Sequence, residues 1–172
     1  AFETANKNIW VHNNDIFYGT AGGDADQAKG DGSLDLKNDS QYFTISYNHF
    51  WDSGKMSLCG MKSETGENWI TYHHNWFDHS DSRHARVRTM TVHMYNNYYQ
   101  HCDVYGIGAT SGSNIFMESN YFEAVKRPIM SSLQGTDIKG SKGTFSGENG
   151  GMIKSYGNVF VDKPSGFSYI TY

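Results

Sequence analysis

The sequence predicts an all-β chain wound as a right-handed parallel β-helix, a single-stranded solenoid of about six coils. A motif of Asn, any residue and an aromatic recurs along the chain, and its closest copies lie 22 and 23 residues apart. A period of this length is typical of stacked repeats. The segments before the motif alternate apolar and polar side chains, as in Thr91-Val92-His93-Met94-Tyr95, which is the periodicity of a half-buried strand.

The repeated Asn is interpreted as a structural ladder. Full copies of the motif begin at Asn48, Asn75, Asn97, Asn120 and Asn158, and a degenerate first copy is assigned to Asp15-Ile16-Phe17. Stacked Asn side chains at a bend between sheets can hydrogen-bond to one another along the rod. The aromatics two residues later are expected to stack in the core. The longer steps between copies contain polar loops, predicted at residues 19–32 and 135–151.

Composition favours short strands joined by polar turns. The 172 residues include 19 Gly and 2 Pro, and aromatics make up 15%, which favours strands over helices. A net charge of −4 argues against a nucleic-acid partner, and no apolar run is long enough to cross a membrane. We interpret residues 1–172 as one monomeric β-helix domain that is the central or C-terminal part of a longer catalytic domain.

The two cysteines are expected to be free thiols. Cys59 and Cys102 fit no zinc-binding spacing. With about 22 residues per coil they lie about two layers apart, or ~9.6 Å. A disulfide requires Cα atoms within about 7 Å, so two buried thiols are the preferred interpretation.

Charged residues predict a groove along one side of the rod. Lys55 and Arg127 each lie seven residues after a ladder Asn, and Arg83 lies eight after its own. Similar offsets in stacked coils place these side chains in one column, with Asp35 one layer below Lys55. Exposed ion pairs are the alternative, but stacked like charges cost energy and surface pairs stabilise little. A column with acids at one end and bases at the other suits a polyanion held partly through a metal.

Asp31 and Asp35 are the candidate calcium ligands. In a straight strand the four steps between them span ~13 Å, whereas both carboxylates must approach one ion to ~2.4 Å. Gly30 and Gly32 permit a turn that would fold Asp31 back beside Asp35. The calcium prediction therefore depends on that turn.

Seven segments together indicate a family. They are residues 8–13, 32–37, 44–48, 55–60, 71–75, 83–88 and 92–97. In this order and spacing they resemble the pectate lyase family of polysaccharide lyases, the one with the pectate lyase C fold, and the resemblance runs from about residue 8 to about residue 160. Two places depart from the family pattern: Val11-His12-Asn13 follows Trp10, and Ala85 stands where the family usually has Pro.

The resemblance implies a calcium-dependent β-elimination that cleaves polygalacturonate (pectate). The resemblance implies Arg83 as the catalytic residue, Lys55 and Arg88 as substrate-binding residues, and Asp31 and Asp35 as ligands of Ca²⁺. Arg86 and His84 lie beside them in the sequence and are added as candidate substrate-binding residues. Arginine is normally protonated, so Arg83 can act as a base only where neighbouring cations such as Lys55 favour its neutral form. An extracellular polymeric substrate implies a secreted protein.

Other functions on the same architecture are kept open. A polygalacturonase-type hydrolase needs paired carboxylic acids, which Asp78 and Asp81 could supply. A pectin lyase would act on methyl esters without calcium, and a non-catalytic β-helix would only bind sugar. His73, His74, His84 and His93 are possible alternative bases but are interpreted mainly as structural. Among them His84 is the one to test, because it adjoins Arg83.

Overall fold

The computed structural model describes residues 1–18, 32–61, 64–65, 67–131 and 150–169. Most of both predicted polar loops lies outside these ranges. Within them the regular structure is entirely β-strand, and no described residue belongs to a helix of the length and apolar character that a membrane span requires.

Three parallel sheets build the described part of the chain. The first contains β1 (Lys7–His12), β3 (Gln41–Ser46), β6 (Ile70–His73), β9 (Thr91–Tyr95), β12 (Asn114–Glu118) and β15 (Met152–Tyr156). The second contains β2 (Asp15–Phe17), β4 (His49–Trp51), β7 (Trp76–Asp78), β10 (Tyr98–Gln100), β13 (Tyr121–Glu123) and β16 (Val159–Val161). The third, called here the arginine sheet, contains β5 (Lys55–Cys59), β8 (Ser82–Arg88), β11 (Ile107–Thr110) and β14 (Ile129–Ser131). Because the chain visits the sheets in turn, the predicted parallel β-helix is confirmed.

The Asn ladder is confirmed and joins the coils at the bend between the first and second sheets. The buried Asn75 amide donates to Asn97 Oδ1 (2.9 Å) and to the Ile45 carbonyl (2.8 Å). Its Oδ1 accepts hydrogen bonds from the backbone (3.1 Å) and side-chain (3.0 Å) nitrogens of Asn48. The same pattern continues through Asn120 to Asn158. The Asn75 side chain therefore satisfies polar groups of the coil before it and of the coil after it.

The first ladder position is corrected by one residue. Asp15 pairs with His49 and Ile16 with Phe50 in the second sheet. Asn14, rather than Asp15, therefore occupies the ladder position, and its side-chain amide donates to Asn48 Oδ1 at 2.9 Å. The sequence interpretation was shifted by one residue because Asp15-Ile16-Phe17 ends in an aromatic, as the motif does.

A left-handed backbone residue precedes every ladder Asn. The φ angles are 54° at Asn13, 54° at Tyr47, 53° at His74, 51° at Asn96, 53° at Ser119 and 61° at Gly157. Only one of these residues is Gly, although positive φ is uncommon for other residue types. The repeated conformation turns the chain sharply from the first sheet into the second, and the ladder hydrogen bonds hold that turn in every coil.

The aromatics two residues after the ladder Asn form the predicted core stack. Ring centroids lie 5.0 Å apart for Phe50 and Phe77, 4.9 Å for Phe77 and Tyr99, and 4.4 Å for Tyr99 and Phe122. Offset stacking at these distances is favourable beyond simple burial. Cys59 and Cys102 are both buried free thiols, as expected.

Candidate functional site

The predicted site residues that the structure describes lie along the arginine sheet. Residues 33–36 form no named strand; Leu36 makes isolated bridges to both Phe2 and Cys59. The backbone of this segment nevertheless bonds to β5, with Leu34 N donating to Met56 O (2.9 Å). Asp35 therefore belongs to the layer directly below β5.

The register places Asp35 in a different column from the one predicted. The Leu58 backbone N–H donates to Asp35 Oδ1 (3.0 Å), and Leu58 pairs with Arg86 in the next layer. Asp35 is thus aligned with Arg86, two layers away, rather than with Lys55. Asp35, the predicted metal ligand, and the arginines still lie on the same side of the rod.

An irregularity between β5 and β8 displaces Arg83 from the predicted position. Lys55 pairs with Ser82, and the register shifts between Ser57 and Leu58. Arg83, with φ of 65°, follows directly after the residue that faces Lys55. Irregularities of this kind redirect side chains and are common next to active sites. Lys55 and Arg83 are therefore one residue out of register in adjacent layers, and both are half-buried.

Asp35 is suited to be an oxygen ligand of a hard cation, although Asp31, the second predicted ligand, lies outside the described residues. Its Oδ2 lies 3.5 Å from Lys37 Nζ, and its carboxylate packs against Gly32, where an added Cβ would lie 2.3 Å from Oδ2. Gly32 has φ of 58°, in agreement with a turn at this point. The described residues contain no group of three or more potential metal ligands. Carboxylate oxygen is the donor that calcium prefers.

His84 is not placed to contact a substrate, which corrects the prediction for this residue. It is completely buried. Its Nδ1–H donates to the Tyr105 carbonyl (2.9 Å), and its Nε2 accepts from the Ser80 hydroxyl. Burial lowers the pKa of His84 to about 4, although contacts with the backbone of Tyr105 and Gly106 partly oppose this shift. The neutral imidazole therefore supports the β8 backbone from inside the rod.

The arginines differ in exposure. Arg88 is 1% exposed and Arg86 9% exposed, whereas Arg83 is half-buried. In this conformation Lys55 and Arg83 are exposed enough to contact a bound polymer directly. Arg86 and Arg88 instead place positive charge beneath them, so the predicted direct substrate contact is corrected for both.

Tyr105 is a site residue that sequence analysis missed. It is 5% exposed and lies just before β11. Burial raises the pKa of its phenol, while the guanidinium groups of Arg86, Arg83 and Arg88 and the backbone N–H of Arg83 partly oppose this shift. Tyr105 thus lies within electrostatic range of all three arginines and keeps its proton at neutral pH. Its place in an ordinary strand pattern gave no signal of this role.

Asp81, one of the two acids considered for a hydrolase, directly precedes β8 of the arginine sheet, whereas the other acid and two of the histidines considered as bases lie on other sheets. Asp78 belongs to β7 in the second sheet and contacts His49 (3.2 Å) and His79. His73 and His93 belong to the first sheet. A groove of about 830 Å³ also lies on the first sheet, with Trp69, Phe116 and Met152 in its wall. Asp78, His73, His93 and the groove are therefore separate from the cluster of cations on the arginine sheet.

Comparison of the sequence with known proteins agrees with this geometry. The family model described as Pectate lyase matches residues 3–167. The chain is 38% identical over 130 residues to a pectate trisaccharide-lyase of Bacillus licheniformis, an alignment that covers 75% of this chain and 37% of that protein. The chain therefore spans little more than a third of the length of this curated relative.

Solved structures show the same fold. A pectate lyase from Bacillus sp. N165, determined in complex with trigalacturonate, is 32% identical with a TM-score of 0.75, covering 99% of this chain and 53% of that one. Pectate lyase C from Erwinia chrysanthemi, determined with Ca²⁺, is 29% identical with a TM-score of 0.70, covering 88% and 41%.

Proposed function

Since the chain belongs to the pectate lyase family, we propose that it cleaves (1→4)-α-D-galacturonan by calcium-dependent β-elimination. The products would be oligogalacturonides with a 4,5-unsaturated end. The observation that supports this most directly is that Arg83, Arg86 and Arg88 lie on β8, on the same side of the rod as Lys55 and Asp35 in the two layers below. A polyanion bound along this side of the rod would meet cations at one end of the site and a carboxylate at the other.

Arg83 is the proposed base. It would take the proton from C5 of a galacturonate, the C–H electron pair would form the C4–C5 double bond, and the C4–O bond would break. The leaving glycosidic oxygen would take up a proton from solvent. Arg86 and Arg88 place positive charge near Arg83, and a neighbouring like charge favours the neutral form of a basic group. Lys55 would hold a substrate carboxylate through a charge-assisted hydrogen bond.

Asp35, together with Asp31, would hold the calcium ion. A bound calcium would polarise the uronate carboxylate as a Lewis acid and make the neighbouring C–H more acidic. The chain contributes the position of the Asp35 carboxylate, which Leu58 N–H and Gly32 fix from two sides. The presence of carboxylates at Asp31 and Asp35 distinguishes the proposal from a calcium-independent pectin lyase. The polymeric substrate also leads us to propose an extracellular, monomeric protein.

A spectroscopic assay tests the calcium proposal. The protein incubated with polygalacturonate and calcium should produce ultraviolet absorbance of unsaturated product, and a chelator should abolish it. Asp35→Asn should raise the calcium concentration for half-maximal activity about tenfold, because charge count sets the affinity of oxygen sites. Asp162→Asn, directly after β16 of the second sheet, is the matched control and should not change that calcium concentration. Reducing ends without absorbance would instead indicate a hydrolase, and binding without either would indicate a non-catalytic module.

Removal of the Tyr105 hydroxyl should reduce activity. Tyr105→Phe is expected to lower kcat/KM about tenfold, because it removes a polar partner from among charged groups. Tyr99→Phe is the control: Tyr99 is fully buried, and its hydroxyl has no hydrogen-bond partner among the described residues. That variant should keep kcat/KM within about twofold and be at least as stable, since it removes an unsatisfied buried group. Equal kcat/KM for the two variants in steady-state assays would contradict a role for Tyr105.

A further inference from the structure

Arg127 lies on the same edge of the arginine sheet as Lys55 and Arg83. In the sheet, Ile107 pairs with Ile129, and the Gly106 N–H donates to the Arg127 carbonyl (2.9 Å). Two residues before the Ile pair, Tyr105 and Arg127 therefore lie beside each other in adjacent layers. Arg127 is thus one layer beyond Tyr105.

The preceding layers complete this edge. Lys55 pairs with Ser82, and the Val104 N–H donates to the Asp81 carbonyl (2.8 Å), which places the start of β11 beside the start of β8. Four successive layers therefore present Lys55, Arg83, Tyr105 and Arg127 at the point where the chain enters the arginine sheet.

The exposed cations of this edge are separated by a buried phenol. Arg127 is half-buried, like Lys55 and Arg83, whereas Tyr105 is 5% exposed. The Arg127 guanidinium is held on the turn below it, with Nη1 3.4 Å from the Val104 carbonyl. Arg83 and Arg127 are two layers apart, or ~9.6 Å along the rod. A polymer lying along the edge would meet a cation at both places.

We propose that Arg127 forms a further carboxylate-binding subsite for a uronate of the same polymer, two layers beyond Arg83. The inference rests on the proposed function in taking the polymer to be a polyuronate. The planar guanidinium matches a carboxylate with two parallel hydrogen bonds, which makes arginine suited to such a subsite. A short oligomer bound at Lys55 and Arg83 does not reach it, so Arg127 contributes only to the binding of longer chains.

The length of the ligand provides the test. Binding of digalacturonate and hexagalacturonate is measured by calorimetry with calcium, in an Arg83→Lys background that limits cleavage. Arg127→Gln is expected to weaken hexagalacturonate binding about tenfold, the value of one charged hydrogen bond, and to leave digalacturonate within twofold. Arg127→Lys keeps the charge but loses the planar guanidinium. Its affinity for hexagalacturonate should lie between those of the proteins with Arg127 and with Arg127→Gln.

Lys126→Gln is the matched control. It removes a neighbouring positive charge, but the Lys126 side chain lies against Gly166, where an added Cβ would be 2.9 Å from its Cε. Lys126→Gln in the Arg83→Lys background should bind digalacturonate and hexagalacturonate with the same affinity as the Arg83→Lys protein. The subsite is overturned if Arg127→Gln leaves hexagalacturonate binding unchanged or weakens both oligomers equally. If the length-dependent loss is found but the parent protein forms no unsaturated product, the lyase proposal fails and the subsite remains.

Discussion

Arg83→Lys is expected to lower kcat for calcium-dependent formation of unsaturated product by about a thousandfold, within the range that a positioned proton-transfer group contributes. Lysine keeps the positive charge but has a single ammonium group in place of the planar guanidinium. The nitrogen that would receive the C5 proton is therefore displaced. Steady-state kinetics on polygalacturonate measure the loss, which should fall on kcat more than on KM.

Two controls separate catalysis from folding and from total charge. Arg83 is half-buried, so its conservative replacement should leave the urea-unfolding midpoint nearly unchanged. Lys154→Arg exchanges one cation for another on the first sheet, where Lys154 lies 5.4 Å from the Phe116 ring centroid, and should keep kcat within about twofold because that sheet is outside the proposed site. Near-normal turnover of a folded Arg83→Lys protein would remove Arg83 from the role of base. His84 could not replace it directly, because it is buried.

The second large effect is expected on stability, from Asn75→Ala. The Asn75 side chain makes four hydrogen bonds, to Asn97, Ile45 and two nitrogens of Asn48. Alanine leaves these buried partners unsatisfied in two coils. The free energy of unfolding should fall by about 3–5 kcal/mol, since each buried orphan costs about 1–3 kcal/mol and neighbouring bonds partly compensate.

Asn14→Ala is the control for this prediction. Asn14 is exposed and donates to His12 O (2.8 Å) and Asn48 Oδ1 (2.9 Å). Because water can satisfy the groups that it leaves, its loss should cost only about 1 kcal/mol. Urea unfolding followed by circular dichroism measures both. Similar losses for the two variants would mean that burial of the ladder adds nothing to its hydrogen bonds.

Sequence periodicity alone predicted the solenoid, the Asn ladder from Asn48 to Asn158, the aromatic core stack and the free thiols. These features depend on local alternation and on a repeat length, and both are properties of the chain read in one dimension. The side of the rod on which Lys55 and Arg83 lie also followed from their offsets within a coil.

The neighbours of each group across layers were decided only by the tertiary structure. Asp35 is aligned with Arg86 through Leu58 because the register shifts between β5 and β8, and such a shift leaves no mark in the spacing of a single coil. Burial likewise removed His84 from the surface and placed Tyr105 within electrostatic range of the arginines. The repeat therefore determined the architecture, whereas the one-residue differences between layers determined which side chains meet.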